Sequence, residues 1–182
     1  VLFPGGVLPL RVFEPRYLDM ISDCMKNNTG FGICLIKEGA EVGKAAISFD
    51  MGTLGEVSYF QKLKDGCLGI TVRGVQRFRV IDTSVQPNQL TMATVELLAN
   101  EPEKELPELY NKAVELLQEI IEQLGQPYTN MQKNFEDASW VSGRLAELLP
   151  LSLQMKQELL QLDDPLKRLA CITELLEEMK IS

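Results

Sequence analysis

The chain of 182 residues contains no histidine. That absence excludes Ser-His-Asp and Cys-His catalytic arrangements and every zinc site that needs an imidazole. Its four cysteines, Cys24, Cys34, Cys67 and Cys171, stand far apart, and no two have metal-ligand spacing. Cys34 and Cys67 lie in apolar runs, as reduced core cysteines do. With 45% of its residues apolar, the chain can build a core without a disulfide framework. Neither a metal nor a cofactor is expected. Long apolar runs are lacking too, far short of the ~20 residues that a membrane span requires. No basic stretch followed by an apolar core opens the chain, so no signal peptide is visible. These absences predict a reducing, cytoplasmic setting with no membrane partner. The chain does not begin with Met, which suggests a trimmed start.

What is present divides near residue 100. Residues 1–100 carry ten Lys/Arg and ten Asp/Glu, and are neutral. Residues 101–182 carry eight and sixteen, so the whole formal charge of −8 sits there. An acidic chain is a poor general binder of nucleic acid. The apolar period changes at the same place, from two to about 3.6. We expect an α+β protein, with a β-rich subdomain over 1–100 and a four-helix subdomain over 101–182.

In the first half, Leu8, Leu10 and Val12 alternate, and Pro9 suits an edge strand. Pro15 opens a short helix carrying Tyr17, Leu18, Ile21, Cys24 and Met25, which Asn27-Asn28-Thr29-Gly30 stops. Phe31–Ile36 is a buried strand by its unbroken apolar run. Gly52 and Gly55 punctuate the next strand, which reaches about Leu63. Lys64-Asp65-Gly66 is a hairpin turn. Leu68, Ile70 and Val72 follow, then Phe78 and Val80 after Gly74, and Leu90–Leu98 is the last strand. Short strands joined by hairpins predict a small barrel or a twisted sheet.

In the second half, Pro107 opens the longest helix, with Leu109, Tyr110, Ala113, Val114, Leu117, Ile120, Ile121 and Leu124 on its stripe. Gly125 and Pro127 end it. A second helix spans about 136–149, with Val141, Leu145, Leu148 and Leu149 inward. Ser152 caps a third, with Met155, Leu159 and Leu160. Asp164 and Pro165 open a fourth, lined by Leu166, Leu169, Ala170, Leu176 and Met179.

Catalytic signals are weak. Gly39 to Ala45 is one residue short of a phosphate loop, and Ala45 has no hydroxyl for magnesium. It reads as a surface loop. The carboxylate pairs at 101–105, 163–164 and 177–178 sit in a connector, a cap and a helix end, where solvation explains them better than acid-base chemistry does. Lys62, Lys64, Arg73, Arg77 and Arg79 form a basic island on a hairpin that could touch RNA. A solvated face with cross-strand ion pairs explains it more simply. Trp140 lies one helical turn before Arg144, and the pair can either stack at a binding surface or anchor a helix in the core.

Several strings nevertheless accumulate in order. Leu2-Phe-Pro-Gly-Gly-Val-Leu-Pro-Leu-Arg11 with Phe13-Glu-Pro-Arg-Tyr17 resembles the opening of the Lon N-terminal, or Lon substrate-binding, domain family. Gly52-Thr-Leu-Gly55 with Val57, and Val72-Arg-Gly-Val-Gln-Arg-Phe-Arg-Val80, resemble its next strands. Trp140 to Pro150, Lys156-Gln-Glu-Leu-Leu160 and Asp164-Pro165 resemble its helical half. The resemblance covers nearly the whole chain. It implies a PUA-like β-barrel subdomain followed by a helical bundle. It also implies recognition of protein segments without the ATPase and Ser-Lys protease domains of full Lon proteases. Members usually begin with a strand before the Leu-Phe-Pro-Gly segment, which again suggests a trimmed start.

The resulting expectation is a non-enzymatic module for unfolded or tagged proteins, acting alone or beside a protease or chaperone. An open sheet edge can take an extended segment by strand addition, and a groove between barrel and bundle, with Arg11, Phe13, Tyr17, Trp140 and Arg144 as its candidate binding residues, can hold apolar side chains. The alternative is an RNA-binding module that uses the basic island from Lys62 to Arg79. A hydrolase using an unrecognised Ser-Lys pair ranks last.

Overall fold

The computed structural model describes residues 1–178. Met179, assigned by its spacing to the last helix, lies outside them. The chain is α+β. It divides into two compact units, one of Leu2 and residues 7–99, the other of Val1, residues 3–6 and residues 100 onward.

The first unit is a five-stranded antiparallel sheet with one helix: β1 (Val7–Val12), α1 (Pro15–Asn27), β2 (Phe31–Glu38), β3 (Ile47–Lys62), β4 (Leu68–Val85) and β5 (Thr91–Leu97). The order is β1-β4-β3-β2, with β5 also paired to β4. The long β3–β4 hairpin organises everything else. At its turn end β1 pairs residues 68–73 of β4. At its other end β2 pairs β3 as far as Gly55, and β5 pairs residues 78–85 of β4. Gly74 does not break the strand as the sequence suggests. It lies at a register shift, and β4 runs on through it. Such a bulge bends a strand without ending it.

The core of this unit gathers Leu2, Val12, Ile21, Phe31, Ile70 and Val72, with Leu8, Leu10 and Leu18 packed against them. Pro15 opens α1, and Asn28, at φ 56°, ends it with its N–H bonded to the Cys24 carbonyl. Met25 does not share the buried stripe and is exposed. Gly52 is required by close approach. A Cβ there would lie 2.5 Å from Cys34 Sγ and 2.8 Å from the Phe78 ring. The burial that makes this spot tight also pushes the Cys34 thiol up to about 11.

The second unit holds α2 (Asn111–Leu124), α3 (Ala138–Leu148), α4 (Leu153–Gln161) and α5 (Pro165–Glu178). A 3-10 turn at Glu108–Tyr110 precedes α2, so Pro107 opens a turn rather than the helix itself. Leu109 and Leu124 are exposed, while Tyr110, Ala113, Leu117 and Ile121 are buried. The Asp137 carboxylate caps α3 by accepting from Ser139 N and Trp140 N. Ser152 caps α4, and Asp164 accepts from Leu166 N at the start of α5. Helix α3 is the axis of the unit. From Ala138 to Ala146 only Ser139 is not fully buried, so it buries all sides rather than one stripe.

Candidate functional site

The turn end of the β3–β4 hairpin carries the most unusual surface. Beyond Gly55, β3 has left β2 and, among the described residues, pairs only with β4. A register shift at Ser58 precedes the regular pairs Tyr59↔Thr71 to Lys62↔Leu68. Residues 58–62 are all exposed, with Tyr59 at 58% and Phe60 at 57%. Adjacent strand residues point to opposite faces, so the two aromatics flank this free margin on both sides. Their partners on β4 are covered: Ile70 is 3% exposed and Thr71 9%. The arm is therefore the bare edge beside a covered interior strand.

β1 brings sequence-predicted residues to the same end of the sheet. Its register against β4 places Arg11 opposite Gly69, the residue that also faces Gln61 of β3. Arg11 pairs with Asp65 at 2.9 Å and reaches Cys67 Sγ at 3.5 Å. The bond from Cys67 N holds the Asp65 carboxyl below the usual carboxylate range. Phe13, just past β1, is 56% exposed. Tyr17 is half-buried in α1, with the Arg16 guanidinium over its ring at 4.7 Å. Arg16 itself is buried. It pairs with Glu14 at 2.8 Å and donates to the carbonyls of Gln89 and Glu41.

Trp140 and Arg144 lie in the helical unit and are interior residues. Arg144 is fully buried. Its Nε donates to Glu147 at 2.8 Å, and its Nη2 donates to the Pro4 carbonyl at 3.1 Å. Phe3 N donates to the other oxygen of Glu147 at 2.6 Å. The guanidinium lies over the Trp140 ring at 5.7 Å, and Phe135 meets that ring edge-on. Burial pushes the Glu147 carboxyl up, against the opposing pull of Arg144 and the Phe3 N–H. Gly6 fits here because a Cβ would strike the Glu147 carboxylate. The constellation clamps residues 3–6 onto α3 and leaves Trp140 and Arg144 little surface for a ligand. Arg168 does the same work deeper in the unit. It bonds Leu159 O at 3.0 Å, Ser142 Oγ at 3.0 Å and the Glu101 carboxylate.

The basic island does not form one surface. Arg77 is 5% exposed. Arg73 pairs with Glu56 at 2.9 Å, and Arg79 stands cross-strand from Glu96. Lys62 and Lys64 are exposed at the hairpin turn. The loop at 39–46 leads into a strand rather than a helix, and no phosphate cradle forms there. Among the described residues no cluster of Cys, Asp and Glu could hold a metal. No helix among them is long and apolar enough to cross a membrane.

The sequence reading missed Tyr59 and Phe60. A signal was available: two neighbouring aromatics in a strand cannot both face one core.

A model of the ATP-dependent protease La (LON) substrate-binding domain matches residues 1–178. Lon protease 2 of Myxococcus xanthus is 25% identical over 99% of this chain, which spans 22% of that protein. The Lon protease of Desulfovibrio desulfuricans is 28% identical over 100% of the chain, again spanning 22% of its length. The crystal structure of the Lon N-terminal domain protein from Xanthomonas campestris is 34% identical, with a TM-score of 0.76 over 96% of this chain and 92% of that one. The N-terminal domain of the Mycobacterium avium complex Lon protease, at 14% identity and a TM-score of 0.57, shares the fold.

Proposed function

Because the chain belongs to the ATP-dependent protease La (LON) substrate-binding domain family, we propose that it is a non-catalytic module that binds unfolded or tagged protein segments. It acts in the cytoplasm, alone or beside a protease or chaperone. One observation carries this reading: the exposed arm of residues 58–62, with Tyr59 and Phe60 on either side of a strand margin that has no second partner among the described residues. Large apolar groups held in water on an ordered strand mark interaction surfaces. An extended segment laid along this margin gains ring contacts on both faces, and its backbone can pair with β3. Arg11 and Phe13, at the same end of the sheet, extend the surface.

The test is binding of a permanently unfolded, labelled protein, followed by fluorescence anisotropy. The double change Tyr59→Ser and Phe60→Ser should weaken binding tenfold or more, a loss of about 1.4 kcal/mol. Unchanged affinity would remove the arm from the site. Ring contacts are insensitive to salt, whereas phosphate contacts are not. Binding that collapses between low and moderate salt, with RNA recovered in place of protein, would overturn the reading.

A further inference from the structure

The other end of the sheet exposes a different strand. Every residue of β5 from Thr91 to Leu97 is exposed, although the strand is fully paired to β4 on one side. Met92 is 48% exposed and Leu97 52%. Natural sheets guard their edges with proline, charge or bulges. The other margins of this sheet follow that rule. β1 carries Pro9, β2 ends in Lys37 and Glu38 with two register shifts, and the β3 margin has the shift at Ser58 and then Lys62. β5 has no proline and no lysine, the one register shift in its pairing places its extra residue, Ile81, on β4 rather than on β5, and its one charge, Glu96, stands opposite Arg79 of its own sheet.

We propose that β5 is the docking edge for a second copy of this chain, joined antiparallel about a twofold axis at Thr94. The strand is complementary to itself in that register. Ala93 of one copy meets Val95 of the other, Thr91 meets Leu97, and Glu96 meets Met92, so no like charges face each other. Thr91, Ala93, Val95 and Leu97 share one face, which Val80 and Val85 of β4 continue across the pairs Val80↔Val95 and Val85↔Thr91. The twofold extends that face, which also carries Thr91 and Thr83, from one copy to the next. Charge at this edge does not oppose that occupant. Residues 1–100 carry equal numbers of acidic and basic groups, so two sheet units meet without net repulsion. A seven-residue edge is about 24 Å long, a small contact beside standard interfaces of ~1,600 Å². The dimer is therefore concentration-dependent. This surface is separate from the Tyr59–Phe60 arm and does not depend on the role proposed for it.

Sedimentation velocity of the intact chain over a range of concentrations should show mass rising from 20.4 kDa towards twice that value. Val95→Lys and Ala93→Lys, both at exposed positions, should each hold the chain monomeric while leaving its circular dichroism unchanged. Thr94→Cys should form a disulfide between copies under mild oxidation, because the axis brings the two positions within bonding reach. Ser84→Cys, on β4, should not. A chain that stays monomeric at every concentration overturns the proposal. So does a dimer that survives both lysine variants in folded form, or one that crosslinks equally well through either cysteine.

Discussion

In the helical unit Arg144, Glu147 and Arg168 are sealed inside, while in the sheet unit Tyr59, Phe60 and Leu97 stand in water. The acidic unit thus hides part of its charge, and the neutral unit displays apolar side chains. The helical unit also exposes Leu109 and Leu153, but singly, as most proteins do. The sheet unit also exposes single residues such as Phe13, Met25 and Val42, but Tyr59 with Phe60 and Met92, Val95 and Leu97 stand together on its strands. A strand margin that lacks a partner cannot cover both of its faces, whereas a helix enclosed by other helices can cover all of its sides. Buried charge is common to both units, Arg144 and Arg168 in one and Arg16 and Arg77 in the other, while the bare strand margins belong to the sheet unit.

The largest effect that would break this comparison is expected at Arg144. Arg144→Met leaves Glu147 buried without its cation, and breaking such a pair costs about 3–5 kcal/mol. Urea unfolding should show that loss. Adding Glu147→Leu should recover much of it, since an apolar pair removes the stranded charge. Next comes Gly52→Ala in the sheet unit. A methyl group against the Phe78 ring should cost about 1–3 kcal/mol by overpacking, read as a lower urea midpoint at unchanged slope. Asp137→Ala uncaps α3 and should cost about 1 kcal/mol. Tyr59→Ser and Phe60→Ser should each change stability by less than about 0.5 kcal/mol. If either destabilised the chain as much as Gly52→Ala does, the arm would be a packing element and its role in contact would fall.

Local signals in the sequence were readable because their partners are local. Ser152 and Asp164 mark helix starts, and Gly125 marks an end, through bonds to residues only a few positions away, while Pro15 marks a start by its own fixed backbone angle. The alternation of Leu8, Leu10 and Val12 identified the inner face of β1 correctly. Gly74 misled because a glycine at a bulge and a glycine at a strand end look alike in sequence. Helix α3 misled for another reason. Its spacing shows one apolar stripe, but Trp140, Gly143 and Arg144 are covered by residues 3–5, which lie far away in the chain. Nothing near residue 144 announces that cover. For the same reason Arg144 could be read as a surface cation beside an aromatic, when it is the anchor of a remote segment. The exposure of β5 was equally hidden, since Thr-Met-Ala-Thr-Val-Glu-Leu has the composition of an ordinary covered strand.

The clamp on residues 3–6 also sets an order of events during synthesis. The ribosome makes Gly6 before Glu147, and at ~5–20 residues per second the interval is on the order of ten seconds. Every strand of the sheet unit has been made by Leu97. The helical unit, by contrast, cannot close until the last of its helices delivers Arg168, whose guanidinium lies 5.5 Å from the ring of Phe3. Phe3 and residues 4–6 must wait for these partners until α3 and α5 have been made.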